Sequence, residues 1–191
     1  MRVVAGTAGG RRLAVPPGQG TRPTSDRVRE ALFSRLEAWG AVEGAVVLDL
    51  FCGSGALALE ALSRGAVRAD GVEQDRRAAD VARRNATDLR LPLTVHRADA
   101  ARWSAAAPDG GYGLVLLDPP YAVAEDALAG LLNEVARLAA PGAVVVVERS
   151  RRSPEPGWPT GLAAGGSRDY GETRVWFADA TDATGDREPP P

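Results

Sequence analysis

The stretch Val46–Arg64, VVLDLFCGSGALALEALSR, decides how this chain is read. Four of its first five residues are apolar, as in a parallel strand buried on both faces. Gly53 and Gly55 then punctuate a short loop, and Ala56 to Arg64 supply strong helix formers. Strand, glycine loop and helix in this order form a β-loop-α unit that binds a ligand at the carboxyl end of the strand. Asp49 sits near that end. A carboxylate in an apolar strand is costly to bury alone, so either a cation or backbone donors must face it.

Gly53, Gly55 and Ala58 satisfy G-x-G-x-x-G/A, and Glu73 follows Gly53 by 20 residues, the spacing at which an acid meets a ribose hydroxyl. Glycine at such positions tolerates positive φ and lets a ligand approach the backbone closely. On spacing alone this fits a nicotinamide cofactor as well as a methyl donor. Asp49 separates the two. It would repel a pyrophosphate, whereas it suits the ammonium that S-adenosylmethionine carries beside its sulfonium.

Working toward the C-terminus, Val67–Glu73 reads as a second strand and Asp75–Leu89 as a helix, with Ala78, Val81, Ala82 and Asn85 on related turns. Leu93–Arg97 makes a third strand, followed by Asp99. Asp49, Glu73 and Asp99 thus stand at or just past successive strand ends, which share one edge in a parallel sheet and can line one crevice. Gly113–Asp118 is a fourth strand that runs into Pro119, Pro120 and Tyr121. Ala124–Ala140 is predicted helical and ended by Pro141-Gly142, before a fifth strand, Ala143–Glu148. Residues 151–166, rich in Pro, Gly and Ser, read as loop, Thr173–Phe177 as a last strand, and the polar residues from Ala178 onward as a disordered tail. The alternation predicts a three-layer α/β sandwich of Rossmann-like type with a mainly parallel sheet.

DPPY, Asp118–Tyr121, lies at the same sheet edge as the proposed donor site. An amine conjugated to a ring is a poor nucleophile because its lone pair is delocalised. If the Asp118 carboxylate and the Pro119 carbonyl accept its two N–H hydrogens, the nitrogen is held in line with a methyl group and drawn toward tetrahedral geometry. Two successive prolines hold these acceptors in place before substrate arrives. Tyr121 offers a ring on which a flipped base can stack.

Toward the N-terminus, Arg2–Ala5 and Arg12–Val15 are extended candidates joined by GTAGG, which suggests a small hairpin. TRPTSD then leads into a helix from near Asp26 to near Gly40, with Val28, Leu32, Phe33, Leu36 and Trp39 on one face and Arg27 and Arg35 toward solvent. Residues 1–35 hold seven arginines against Asp26 and Glu30, a balance of +5, although the whole chain of 191 residues carries −2. This basic end is the candidate polyanion surface, with Arg11, Arg12, Arg22 and Arg27 as its contacts. All 23 basic residues are arginine. With the abundant Ala and Gly, that points to a GC-rich genome more than to selection for guanidinium.

Cys52 is the single cysteine and His96 the single histidine, so an internal disulfide is impossible and a conventional zinc cluster is disfavoured. Cys52 reads as a small buried side chain and His96 as a strand residue. No apolar run reaches membrane-spanning length and the N-terminus lacks the apolar core of a signal peptide, so a cytoplasmic location is expected.

DLFCGSGALALEALSRGA together with DPPY resembles the class I S-adenosylmethionine-dependent methyltransferases. RVVAGTAGGRRL, RPTSDRVREALFSRL and DYGETRVWF narrow the likeness to the RsmD-type 16S ribosomal RNA guanine-N2 methyltransferases. The resemblance implies a methyl donor held at Asp49, Phe51, Gly53, Ser54 and Gly55, with Glu73 on the ribose and Asp99 and the Ala100 backbone on the adenine. Asp118, Pro119 and Tyr121 would present the guanine amine. Ala58 replaces a glycine common in that family, and Cys52 an alanine. The expected organisation is a basic RNA-contacting extension at 1–40, a catalytic domain at 41–178 and, outside the resemblance, a disordered acidic tail at 179–191. The implied partner is ribosomal RNA or the assembling small subunit, met by a monomer without metal or membrane. An N6-adenine nucleic-acid methyltransferase, a nicotinamide-dependent oxidoreductase and a non-catalytic RNA-binding assembly factor are the competing readings.

Overall fold

The computed structural model describes residues 1–16, 26–120 and 122–181. Helix α1 (Asp26–Ala38) precedes β1 (Val46–Leu50), α2 (Ala56–Ser63), β2 (Arg68–Val72), α3 (Arg76–Leu89), β3 (Leu93–His96) and α4 (Ala100–Ala106). Then follow β4 (Tyr112–Leu117), α5 (Glu125–Leu138), β5 (Ala139–Ser150), β6 (Leu162–Tyr170) and β7 (Thr173–Ala180). The strands form one seven-stranded sheet in the order β3-β2-β1-β4-β5-β7-β6. The first five pair in parallel, and β7 joins antiparallel to both β5 and β6. The order reverses between β1 and β4, the place where open α/β sheets part to admit a ligand.

Side-chain alternation along the strands divides the core into two layers. Val47, Leu114, Leu116, Val144 and Val146 pack with α1, α2 and α3, while Leu48, Val115, Leu117, Val145 and Val147 pack with α5. The expected three-layer sandwich is what forms.

The N-terminal hairpin is shorter than expected. Arg2 and Arg12 form one antiparallel bridge, flanked by Val3 N–H donating to the Arg11 carbonyl at 2.9 Å, Gly10 N–H to the Val3 carbonyl at 2.9 Å and Leu13 N–H to the Met1 carbonyl at 3.1 Å. The ladder stops there because the next donors of the first arm are engaged elsewhere. Val4 and Ala5 donate to the Glu60 carboxylate at 2.7 and 3.0 Å, and Ala8 donates to Ser63 Oγ at 2.9 Å. A Cβ on Gly6 would come within 1.8 Å of the Ser63 carbonyl oxygen, so only glycine lets this arm lie down on α2. Val3, Ala8 and Leu13 join the same core as α1 and α2.

Four other expectations need correction. Trp39 lies beyond the end of α1 and is 46% exposed, not on its apolar face; it stands edge-on to Phe177 at 5.0 Å with Arg35 above it. Helix α5 ends at Leu138, and Pro141-Gly142 lies inside β5. There the β4–β5 register shifts: a proline without an N–H and a glycine at φ 78° are accommodated as a bulge. Residues 162–166, expected as loop, belong to β6. This edge strand carries its own irregularity at Gly165-Gly166, which hides it from a search for alternating apolar residues. Helix α4 adds to the expected elements, and β7 continues through Ala178, Asp179 and Ala180, three residues past its expected end at Phe177. Residues 182–191 lie outside the described residues. Among the described residues no helix is long and apolar enough to cross a membrane.

Candidate active site

A cleft of about 1030 Å³ opens at the carboxyl ends of β1, β2, β4 and β5. Asp49, Phe51, Gly53 and Ser54 line its floor, Glu73 and Ala100 one side, and Asp118 and Pro119 the other. Of the residues expected there, Gly55 serves instead as the N-cap of α2 at φ 80°, and Asp99 is exposed between Ala98 and Ala100, which do line the cleft. Tyr121 and Arg22 lie outside the described residues.

The Asp49 carboxylate is the centre of the floor. It is 1% exposed, and its Oδ2 accepts the Ala58 N–H at 3.0 Å. Helix α2 has no side-chain cap of its own, so Asp49 reaches across from β1 to satisfy a first-turn donor and meet the positive end of the helix. Its second oxygen, Oδ1, is buried without a hydrogen-bond donor among the described residues. Burial, only partly offset by the Ala58 hydrogen bond and reinforced by nearby Glu73, pushes the Asp49 pKa up to about 7. A cationic N–H group offered to Oδ1 would satisfy that atom and bring the pKa down.

Glu73 ties the glycine loop to the β2–α3 turn. Gly53 N–H donates to Glu73 Oε2 at 2.9 Å, and Asp75 N–H donates to Glu73 Oε1 at 2.7 Å. Each carboxylate oxygen accepts more than one hydrogen bond, so Glu73 can hold the loop and still receive hydroxyls. Phe51 has φ 69°, a left-handed conformation that costs a residue with a side chain about 1 kcal/mol or more. Buried Asn85 of α3 supports the loop from beneath, donating to the Ser54 carbonyl at 2.9 Å while exchanging hydrogen bonds with the Ala14 backbone. Helical spacing marks Asn85 only as part of a helix face.

Asp118 follows β4 directly. Burial first, then the charges of Glu148 and Asp49, hold its carboxyl well above the usual carboxylate range. Arg149, its side chain 5% exposed, donates to the Val123 carbonyl at 3.1 Å and to Glu125, tying the segment after DPPY to β5. The turn Tyr170–Thr173 between β6 and β7 forms the far wall, while Met1, Val15, Pro16 and Val28 wall the cleft from the N-terminal side. These walls and Arg149 carry no motif that spacing could have revealed.

The two lone residues behave as expected. Cys52 is buried beside Gly71, where an added Cβ would meet its sulfur at 2.9 Å, and burial raises its thiol pKa well above the ordinary value. His96 Nε2 pairs with Asp70 Oδ1 at 2.7 Å, on the β3 side of the sheet.

Residues 1–179 match the family described as conserved hypothetical protein 95, the family of the RsmD enzymes. This chain belongs to that family. It is 36% identical over 180 residues to YlbH of Bacillus subtilis (strain 168), provisionally named an rRNA methyltransferase, and the match covers 92% of this chain and 96% of YlbH. It is 38% identical over 138 residues to the ribosomal RNA small subunit methyltransferase D of Escherichia coli (strain K12), covering 72% of this chain and 66% of that one. Among solved structures, yhhF from Escherichia coli, provisionally named a methyltransferase, superposes with a TM-score of 0.83 at 30% identity. That superposition covers 95% of this chain and 98% of yhhF.

Fold and family make the cofactor S-adenosylmethionine. The cleft can take it: a buried carboxylate oxygen has no donor among the described residues, Gly53 beside it leaves open space, and an acid stands at the end of β2.

Proposed function

We propose that this chain methylates the exocyclic N2 amine of a guanine in small-subunit (16S) ribosomal RNA. The observation that carries the reading is the register of β1 and β4 at the switch point, Leu50 opposite Leu117, which sets Asp49 and Asp118 on adjacent strands of one cleft. One carboxylate is positioned for the donor and the other for the acceptor. The names of the relatives supply the RNA, and the family motifs the guanine.

Bound S-adenosylmethionine supplies an electrophilic methyl group on a sulfonium. Asp49 Oδ1 accepts from the methionine ammonium, and Phe51, Gly53, Ser54 and Gly55 present the loop backbone around it. Glu73 receives the ribose hydroxyls, and Asp99 with the Ala100 backbone the adenine. Asp118 and the Pro119 carbonyl accept the two N–H hydrogens of the guanine amine, which localises the nitrogen lone pair. Asp118, made more basic by its surroundings, takes the proton that the nitrogen loses. Tyr121 stacks on the flipped base.

RNA is held by Arg11, Arg12, Arg22 and Arg27 in the extension 1–40, leaving the catalytic domain at 41–178. Arg11, Arg12 and Arg27 are exposed, which supports that role. The +5 balance overstates the surface charge, however, because buried Arg29 pairs with Asp26 and Glu60, and Arg2 with Asp26.

The test is methyl transfer by the purified protein from labelled S-adenosylmethionine to small-subunit ribosomal RNA, naked and assembled, with the product identified as a nucleoside. N2-methylguanine is expected. N6-methyladenine, or no transfer beyond RNA binding, contradicts the reading. Equilibrium dialysis against nicotinamide dinucleotide and S-adenosylmethionine disposes of the oxidoreductase alternative if only the latter binds.

A further inference from the structure

DPPY alone does not distinguish a guanine amine from an adenine amine, since both offer two N–H donors beside a ring nitrogen. The difference lies at that ring nitrogen. Guanine N1 carries a hydrogen, whereas adenine N1 is a bare acceptor. A site that selects guanine therefore needs an acceptor next to the one that holds the amine.

Such an acceptor is Glu148. Strands β4 and β5 run parallel, their last paired residues are Leu117 and Val147, and each is followed by a carboxylate, Asp118 and Glu148. Both line the cleft. In β5 the alternation that sends Val144 and Val146 to the α2 side of the sheet sends Glu148 the same way, as Asp49 follows Val47 in β1. Arg149, of opposite parity, reaches Val123 and Glu125 beneath the cleft. We propose that Glu148 is the specificity-determining residue that reads guanine, its carboxylate accepting the N1–H while Asp118 accepts from the N2 amine. This rests on the guanine-N2 reading above.

The two carboxyls feel each other's charge, which raises the Asp118 pKa along with burial. A guanine edge presenting N1–H and N2–H offers one hydrogen to each of these carboxyls. Adenine or cytosine in the same orientation would turn a ring-nitrogen lone pair toward Glu148, adding a second repulsion in place of a hydrogen bond.

The experiment uses the full chain and ribosomal RNA carrying either guanine or 2-aminopurine at the methylated position. 2-Aminopurine keeps the 2-amine but has no N1–H. Wild type should methylate guanine in preference by roughly 10- to 100-fold, the discrimination of a well-placed base contact. In Glu148→Gln the side-chain amide can donate to the bare N1, so the preference should shrink or invert while calorimetric binding of S-adenosylmethionine is retained. Equal methylation of both bases by wild type overturns the assignment without recourse to any variant. An unchanged preference in a Glu148→Gln protein that binds donor, with wild type still making N2-methylguanine, overturns Glu148 alone. If wild type methylates a different amine, the proposed function falls and this inference with it.

Discussion

Asp49 Oδ2 accepts the N–H of Ala58 at 3.0 Å while Oδ1 of the same buried carboxylate meets no donor among the described residues. One side chain thus caps the helix after the glycine loop and leaves an oxygen for the ligand. The first prediction concerns protons. With its pKa pushed up to about 7 by burial, Asp49 holds a proton in the free protein where the unfolded chain has already lost it. The folded state therefore binds more protons between about pH 4 and 7, and stability of the free protein falls through that window by at most about 1.4 kcal/mol per pH unit. An ammonium binds the ionised form, so donor affinity should rise about tenfold per unit up to pH 7 and then level off. Calorimetry in buffers of different ionisation enthalpy should register the released proton. Asp49→Asn keeps an acceptor for Ala58, and it should weaken donor binding and flatten this pH dependence.

Asp118→Ala should abolish methyl transfer while donor binding is largely preserved, because its carboxylate is assigned to the substrate amine. Single-turnover assays beside calorimetry would separate the two effects. Near-normal turnover would remove Asp118 from the chemistry.

Arg149 touches neither ligand in this assignment, yet its guanidinium holds the Val123 carbonyl and Glu125 behind the DPPY segment. Arg149→Ala should lower kcat with the donor Kd little changed, and it should cost stability, on the order of 1–3 kcal/mol, through the unpaired groups it leaves. Lysine has the charge but not the planar fork, and should restore stability better than turnover. Equal kcat in Arg149→Ala and wild type would show that this tie does not position Asp118.

Replacing Arg11, Arg12 or Arg27 singly should weaken RNA binding and flatten its salt dependence by roughly 0.7–0.9 in log–log slope for each phosphate no longer neutralised. Unchanged slopes would make these arginines an ordinary solvated face.

The sequence made the donor half of the cleft legible because its residues are contiguous or regularly spaced. Asp49, Gly53 and Ser54 lie within one strand and loop, and Glu73 ends the next strand. Asp118 was legible for the same reason. Glu148, Arg149, Asn85 and the Tyr170–Thr173 wall were not, since only strand register and helix packing bring them to the site. The Gly-rich edge strand β6 eluded an apolar-alternation search because an edge strand needs little apolar alternation, and β7 fixes it by backbone pairing. The basic N-terminus was overcounted as free surface because a charge tally cannot foresee that Arg29 lies buried against Glu60.

The most direct test of N2-guanine methylation is nucleoside mass spectrometry of 16S ribosomal RNA from cells with and without this chain. One N2-methylguanine should vanish in the deletion strain and return when the wild-type chain, but not Asp118→Ala, is restored. Every N2-methylguanine left intact, with an N6-methyladenine lost or with no modification changed, would contradict it.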